Sequence, residues 1–218
     1  MPKLARQLPA YLATRLRGWR ATEFSDNKTW YAALADKGQH PRAMVISCCD
    51  SRVEPQKIFG TEPGEFFIVR NVANLIPPYA PDHDHHGTSA AIEYAVNSLG
   101  VAHILVIGHS QCGGVAACHD MCSGNAPELE KGDSFVGRWM DILRPGYERI
   151  KDLAGGRAAQ VTALEQQGVR VSLQNLMTFP FVTEAIKAER LSIHGVWFDI
   201  GTGNMLAFDG AAQEFVPV

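Results

Sequence analysis

Two apolar segments of strand length are each followed directly by a loop that carries reactive side chains, and this arrangement constrains the fold most. Residues 43–47 precede the loop Cys-Cys-Asp-Ser-Arg at 48–52, and residues 101–107 precede the loop Gly-His-Ser-Gln-Cys-Gly-Gly at 108–114. A helical pattern runs between the two segments from Thr88 to a stop at Gly100. A strand, a helix and a second strand in this order form a βαβ unit, which predicts a parallel sheet.

The remaining segments extend this α/β pattern at both ends. Apolar residues recur at helical spacing from Leu4 to Trp19, and a second helix begins at Ser25 or Asp26 and ends at Gly38. We expect a mostly parallel β-sheet flanked by helices, with an N-terminal helical arm and a C-terminal β-hairpin. Further strands are expected at 65–70, 193–200 and 205–208, and helices at 134–153 and 158–188 with breaks at Pro145-Gly146, Gly155-Gly156 and near Pro180.

Length, charge and cysteine content narrow the class of protein. With 218 residues, 46% of them apolar, we expect a single domain, residues 1–218, made of a helical arm (1–38) and an α/β core (39–218). The net charge of −3 argues against nucleic acid as a partner, and the apolar runs are too short to span a bilayer. Five cysteines without a signal peptide predict reduced thiols rather than a disulfide framework.

The basic N-terminus has two interpretations. Residues 1–22 contain five basic residues and no acidic one, as organelle targeting segments do. However, the segment has no serine before Ser25, and its apolar residues form one helical stripe. We therefore expect a retained helix that docks on its own domain or on a partner subunit, and a cytoplasmic protein.

Metal-binding residue types stand in both reactive loops. Cys48 lies in the first loop, and His109 and Cys112 lie in the second. Because the carboxyl ends of parallel strands meet at one edge of a sheet, the two loops can converge. Two thiolates and one imidazole with a vacant fourth position are typical of catalytic zinc, whereas structural zinc usually has a fourth protein ligand. The sequence predicts one Zn²⁺ per subunit.

Asp50 decides whether this metal site is closed or open. It is the nearest fourth ligand in sequence, but Arg52 can face the same side of an extended segment and hold the carboxylate away from the metal. Water would then take the fourth position, where zinc lowers its pKa toward neutrality, and Asp50 could accept its remaining proton. We expect this open arrangement, with zinc-bound hydroxide as nucleophile and Asp50 and Arg52 as the catalytic pair.

Three separated motifs resemble those of the β-class carbonic anhydrases. They are Cys-x-Asp-Ser-Arg at 48–52, Val-Arg-Asn-Val-Ala-Asn at 69–74 and Gly-His-Ser-x-Cys-Gly-Gly at 108–114. The similarity covers residues 39–114, and residues 194–195 and 199–203 are similar to the family's C-terminal strands. The resemblance implies a lyase that hydrates carbon dioxide reversibly to bicarbonate and a proton, with zinc held by the two cysteines and the histidine.

The resemblance also implies how the substrate is held and how the chain assembles. Gln39 is similar to the family's substrate-orienting glutamine, and Phe67, Val72 and Tyr94 are similar to residues that line its carbon dioxide pocket. The family forms dimers or larger assemblies, which implies a homodimer or homotetramer here. Members that close the site with the aspartate carry a tryptophan three residues before the first cysteine ligand. Val45 occupies that position, so the plant-like open type is expected.

Two other functions remain compatible with the same residues. A hydrolase for carbon disulfide or carbonyl sulfide would use the same metal hydroxide, so the motifs do not separate it from a carbonic anhydrase. A non-enzymatic, zinc-stabilised oligomeric or sensor protein would instead close the tetrahedron with a fourth protein ligand.

The other cysteines and histidines have simpler interpretations. Cys49, where the family commonly has serine, is expected to be a packed bystander thiol, because neighbours in an extended segment point in opposite directions. A solvated loop, rather than a second metal site, is expected for His83, His85 and His86. Positions that pack within a helix are expected for Cys118, His119 and Cys122, again rather than a second zinc site.

Overall fold

The computed structural model describes residues 6–81 and 86–218, and the chain divides into two compact units, Met1–Gln39 and His40–Val218. His83 and His85, expected in a solvated loop, lie outside the described residues. The helices are Ala10–Ala21 (α1), Glu23–Asp26 (α2), Lys28–Lys37 (α3), Pro55–Phe59 (α4), Gly87–Glu93 (α5), Gly113–Cys122 (α6), Phe135–Met140 (α7), Arg144–Glu148 (α8), Gly156–Leu176 (α9) and Pro180–Lys187 (α10). The strands are Ala43–Cys48 (β1), Phe66–Asn71 (β2), His103–His109 (β3), Ser192–Phe198 (β4), Met205–Asp209 (β5) and Glu214–Pro217 (β6).

The N-terminal unit contains α1, α2 and α3, which are joined by a cluster of aromatic rings. The ring of Trp19 lies 5.2 Å from that of Phe24 and 5.6 Å from that of Tyr31, measured between centroids. α1 begins after Pro9, whose fixed φ and missing N–H suit the start of a helix. Leu8 therefore precedes the helix, although the apolar spacing placed it inside. α3 ends at Lys37 and is followed by Gly38, whose φ of 76° is readily adopted only by glycine.

The second unit is built on a six-stranded sheet in the order β2-β1-β3-β4-β5-β6. The first four strands are parallel, which confirms the predicted sheet, and β5 and β6 are antiparallel. The expected C-terminal hairpin is present as β4 and β5, and it continues into β6. The sequence did not reveal β6 because only Phe215 and Val216 of its four residues favour a strand.

The longest described helix, α9, packs directly on β3 and β4 because both strands carry a glycine beneath it. A Cβ atom added to Gly108 would lie 2.6 Å from Cγ2 of Val169, and one added to Gly195 would lie 2.5 Å from Cγ1 of Val169. Ordinary contacts of a Cβ atom lie at 3.4–4 Å. The two glycines therefore allow α9 to pack close to the backbones of β3 and β4.

Prolines begin helices in this fold. Pro145 and Pro180 lie in the first turns of α8 and α10, where the missing proline N–H has no helical partner to lose. The two long helices expected at 134–153 and 158–188 are consequently divided into α7 with α8, and α9 with α10. None of the described helices combines the length and apolar character needed to cross a membrane.

Candidate active site

The two reactive loops meet at the carboxyl edge of the parallel sheet. β1 ends at Cys48 and the adjacent β3 ends at His109, with Ser47 paired to Ile107 one step earlier. The chain then turns through Gln111, which has a positive φ of 56°, and Cys112 is the residue that precedes α6. The parallel register therefore delivers both loops to one place, as the strand and loop pattern predicts.

The side chains of Cys48, His109 and Cys112 form a buried cluster of metal-ligand type. Their ligand atoms lie within 4.8 Å of one another, and the three residues are only 5%, 1% and 2% exposed. The Sγ atoms of the two cysteines are 3.9 Å apart. Tetrahedral zinc with bonds of about 2.3 Å to sulfur requires sulfurs about 3.8 Å apart. The thiol separation therefore fits zinc.

His109 has a free nitrogen that suits the same metal. Its Nδ1 atom lies 2.9 Å from the carbonyl oxygen of Ser110, an acceptor that places the proton on Nδ1. Its Nε2 atom is buried and, in the part of the chain that the structure describes, has no hydrogen-bond partner. An unpartnered buried nitrogen is costly unless it binds something. Within residues 6–81 and 86–218, no other group of His, Cys, Asp or Glu residues has metal-site geometry.

The two thiols shift each other's pKa in opposite directions. A hydrogen bond from the Cys112 thiol lowers the pKa of Cys48 to about 4 despite burial. The same contact and burial raise the pKa of Cys112. Without a metal, ionisation of one of these thiols therefore disfavours ionisation of the other. A divalent cation would favour the thiolate form of both groups.

Arg52 restrains Asp50 beside this cluster. The guanidinium donates from Nε to Oδ1 at 2.9 Å and from Nη2 to Oδ2 at 2.7 Å, and the backbone N–H of Arg52 donates to Oδ1 at 3.0 Å. These bonds hold the pKa of Asp50 well below its usual range. Nη2 also donates to the carbonyl oxygen of Gln111 at 3.0 Å, which links the pair to the second loop.

Arg70 organises the first loop, a role that sequence reasoning did not assign. Its guanidinium donates to the carbonyl oxygens of Cys48, Asp50 and Val53 at 2.9, 2.7 and 2.6 Å. It also forms an ion pair with Glu54 at 3.2 Å. The arginine was visible within the motif at 69–74, but its acceptors are backbone atoms 17–22 residues away, which no side-chain pattern indicates.

Ser110 and Asp199 fasten the second loop to the neighbouring strand. Oγ of Ser110 donates to Oδ1 of Asp199 at 3.0 Å and accepts from the N–H of Ile200 at 3.0 Å. The N–H of Ser110 donates to the carbonyl of Phe198 at 2.9 Å. The segment that presents His109 is therefore anchored to the end of β4.

The residues expected to line the substrate pocket fall into three places. Val72 lies against the second loop, because a Cβ atom on Gly114 would be 2.7 Å from its Cγ1 atom. Phe67 pairs with Met44, four positions before Cys48 in β1, which separates it from the ligands by about 13 Å along the strand. The ring of Tyr94 lies 5.9 Å from that of Phe67. A single chain therefore does not bring Phe67 and Tyr94 to the cysteine and histidine cluster, and Gln39 belongs to the N-terminal unit.

The remaining cysteines lie outside the metal-ligand cluster. Cys49 is exposed, so the expectation of a packed thiol is wrong; its N–H donates to the carbonyl of Asn71, and its side chain remains at the surface. Cys118 is fully buried in the hydrophobic core beside Met140. Cys122 is partly buried against the same part of the hydrophobic core. His119 is buried between Gln160 and Asp120.

Comparison with known proteins places these features in a family. A family model described as carbonic anhydrase matches residues 43–205. Beta carbonic anhydrase 3 of Arabidopsis thaliana is 38% identical over 187 residues, which cover 85% of this chain and 70% of that protein. Beta carbonic anhydrase 5, chloroplastic, of the same plant is 36% identical over 189 residues, and the match spans 85% of this chain but only 60% of that protein.

Solved structures agree with the sequence relatives. The β-carbonic anhydrase CcaA has a TM-score of 0.86 at 31% identity, with 95% of this chain and 91% of that chain covered. CafA of Aspergillus fumigatus has a TM-score of 0.78 at 32% identity, covering 92% and 90%. A tetrameric β-carbonic anhydrase of Sordaria macrospora has a TM-score of 0.73 at 31% identity, covering 90% and 94%.

Proposed function

Because the chain belongs to the β-carbonic anhydrase family, a family of lyases, we propose that it hydrates carbon dioxide reversibly to bicarbonate and a proton. One zinc ion per subunit is held by Cys48, His109 and Cys112. The observation that carries this proposal is the convergence of their three ligand atoms within 4.8 Å, with Nε2 of His109 buried and unpartnered among the described residues. When bound there, zinc supplies a Lewis acid that activates water for attack on carbon dioxide.

Asp50 has a free acceptor site for that water. Oδ1 accepts two hydrogen bonds from Arg52, from its Nε and from its backbone N–H. Oδ2 accepts one, from Nη2, among the described residues. A carboxylate oxygen accepts two hydrogen bonds, so one lone pair of Oδ2 is available. Asp50 uses it to orient the attacking water, while Arg52 prevents the carboxylate from turning toward the metal.

The protein's assembly completes the substrate pocket. We expect a homodimer or homotetramer in which a second copy brings Phe67 and Tyr94 to the proposed zinc site. Within one chain, Phe67 lies beside Met44, about 13 Å along the strand from Cys48, and the ring of Tyr94 is 5.9 Å from that of Phe67. Tyr94 is 49% exposed, as a residue that meets a partner would be. Val72 contributes an apolar wall from the same chain, and Gln39 orients the substrate. An apolar pocket suits a small uncharged molecule such as carbon dioxide.

Mixing two inactive variants tests the shared pocket. Cys48→Ala lacks a metal ligand, and Tyr94→Ala lacks a pocket wall, so each homo-oligomer is expected to be inactive or nearly so. Refolding the two together produces hybrid assemblies in which one site has every required residue. Activity should then recover to a substantial fraction of wild type. No recovery, or sedimentation of the wild type as a monomer, would refute the shared pocket.

The proposed reaction is tested by metal analysis combined with a pH-indicator assay of carbon dioxide hydration. The wild type should contain about one zinc per chain and lose activity on chelation. Carbonyl sulfide and carbon disulfide, offered as competing substrates, should be turned over more slowly than carbon dioxide. A metal-free, fully active protein would exclude the zinc mechanism, and preference for a sulfur substrate would reassign the reaction.

Two further properties accompany this proposal. We expect residues 1–218 to form one domain, because the match to CcaA covers 95% of this chain and therefore extends into the first unit. We also expect a cytoplasmic enzyme, although one relative is described as chloroplastic. A fusion of residues 1–38 to a fluorescent reporter should remain in the cytoplasm, and import into an organelle would overturn this location.

A further inference from the structure

Glu165 is a buried carboxylate behind the metal-ligand cluster that the proposed mechanism does not use. It lies on α9, is only 3% exposed and accepts two hydrogen bonds. The backbone N–H of Cys112 donates to Oε1 at 3.1 Å, and the indole N–H of Trp197 donates to Oε2 at 3.2 Å. Burial raises the pKa of this carboxyl, and the N–H donors of Cys112, Trp197 and Gln111 oppose that rise.

The peptide unit between Gln111 and Cys112 is held from both ends. Its N–H donates to Oε1 of Glu165, and its carbonyl oxygen accepts from Nη2 of Arg52 at 3.0 Å. In a trans peptide these two groups point in opposite directions, so the acid and the guanidinium lie on opposite sides of the loop. Any rotation of this peptide would move the Cys112 backbone and the acceptor for Arg52 together.

This peptide follows a backbone conformation that needs outside support. Gln111 has a φ of 56°, in the left-handed region that residues other than glycine rarely adopt. Such conformations persist where surrounding contacts hold them, and they concentrate at functional sites. The contacts available here are the hydrogen bonds to Glu165 on one side and Arg52 on the other.

We propose that Glu165 is a positioning residue for the hydration reaction. By fixing the Gln111–Cys112 peptide, Glu165 sets the orientation of the Cys112 sulfur. Through the bond of the same peptide to Arg52, it also sets the position of the Asp50 carboxylate. This inference rests on the proposed function. Glu165 lies on α9, 53 positions beyond Cys112 in sequence. It would nevertheless control both Cys112 and the pair formed by Arg52 and Asp50. A purely structural buried acid would stabilise the fold without coupling to Arg52.

The test compares Glu165→Gln with wild type as zinc-loaded enzyme. The amide keeps the size of the side chain, but one acceptor oxygen becomes an NH₂ group, so it cannot accept from both Cys112 and Trp197. We expect kcat per bound zinc to fall at least about tenfold, zinc transfer to a chelator to accelerate by about tenfold, and the apparent pKa of the pH–rate profile to shift. Glu184→Gln, which removes an exposed carboxylate from α10, should match wild type in all three measurements.

A double-mutant cycle with Arg52→Ala separates positioning from simple stabilisation. If Glu165 acts through the shared peptide, the loss of kcat in the double variant will be clearly smaller than the product of the two single losses. Independent, multiplicative losses would overturn the proposal, as would wild-type kcat, pH profile and zinc release in Glu165→Gln.

If Glu165→Gln does not fold, Glu165→Asp, whose shorter side chain draws the carboxylate away from Cys112, should show the same losses. A wild type that binds zinc but does not hydrate carbon dioxide refutes the proposed function instead, and the zinc-transfer comparison still tests the role of Glu165 in holding Cys112.

Discussion

Arg52 holds Asp50 through a two-point ion pair, with Nε 2.9 Å from Oδ1 and Nη2 2.7 Å from Oδ2. This geometry fixes the plane of the carboxylate as well as its position, which a single lysine could not do. The same guanidinium reaches the carbonyl of Gln111, so the pair spans both reactive loops. Arg52 therefore links the position of the Asp50 carboxylate to the backbone of the loop that carries His109 and Cys112.

Replacing Asp50 with asparagine should remove activity but leave the metal in place. The amide cannot accept both guanidinium bonds and offers a weaker acceptor to water, so we expect kcat/KM to fall by about 10²–10⁴-fold. Zinc content should remain near one per chain, because Asp50 is outside the ligand cluster. Asp133→Asn, at an exposed loop position, is the matched control. Loss of zinc together with activity would instead make Asp50 a ligand.

Substitution of any cluster residue should remove the zinc itself. Cys48→Ala, His109→Ala and Cys112→Ala each leave two ligands, and we expect zinc content below about a tenth of wild type by elemental analysis, with no hydration activity. Cys122→Ala, a partly buried cysteine outside the cluster, should retain both. Full zinc occupancy in a ligand variant would contradict the assignment of that residue.

A methyl group at Gly195 should destabilise the fold by crowding α9. The added Cβ atom would lie 2.5 Å from Val169 and 2.8 Å from Leu173, so we expect a loss of about 1–3 kcal/mol in the free energy of unfolding, measured with urea. Gly195→Ala combined with Val169→Ala should recover part of this loss, because the truncation removes the clashing methyl group. Gly132→Ala, which has open space around its added Cβ, should be nearly neutral. Equal stability of Gly195→Ala and wild type would contradict the close approach.

The ion pair between Asp120 and Arg157 should make stability depend on pH in the acid range. Arg157 donates to both carboxylate oxygens at 2.7 and 2.6 Å and holds the pKa of Asp120 below its usual value. A depressed folded-state pKa contributes stability above the unfolded pKa of about 3.9, and this contribution is lost as pH falls through the folded value.

Urea unfolding at several pH values tests this dependence. The stability advantage of wild type over Asp120→Asn should therefore be full at pH 6–7 and shrink as the pH is lowered below about 4. Asp133→Asn serves as the control and should show no such trend. An advantage that grows toward low pH would contradict the sign of the shift.

Local sequence signals were sufficient for the central part of the fold and for the metal ligands. The apolar segments that became β1 and β3 specify buried parallel strands, and Cys48, His109 and Cys112 follow these strands directly. Strand order and the common direction of parallel strands then place the two loops at one edge. Each of these inferences uses residues close together in sequence, together with one general property of parallel sheets.

Only the tertiary structure decided what surrounds the ligands. Arg70 binds carbonyl oxygens and Glu165 binds a backbone N–H, and peptide groups carry no sequence identity that could reveal such partners in advance. The register of β1 with β2 likewise places Phe67 beside Met44, four residues before Cys48. The similarity of Phe67 to a pocket residue of the family did not indicate this separation. Hydrogen bonds and registers between distant segments depend on the packed arrangement of the whole sheet and α9. The sequence by itself therefore identified the residues of the proposed zinc site, and the fold determined how they are held.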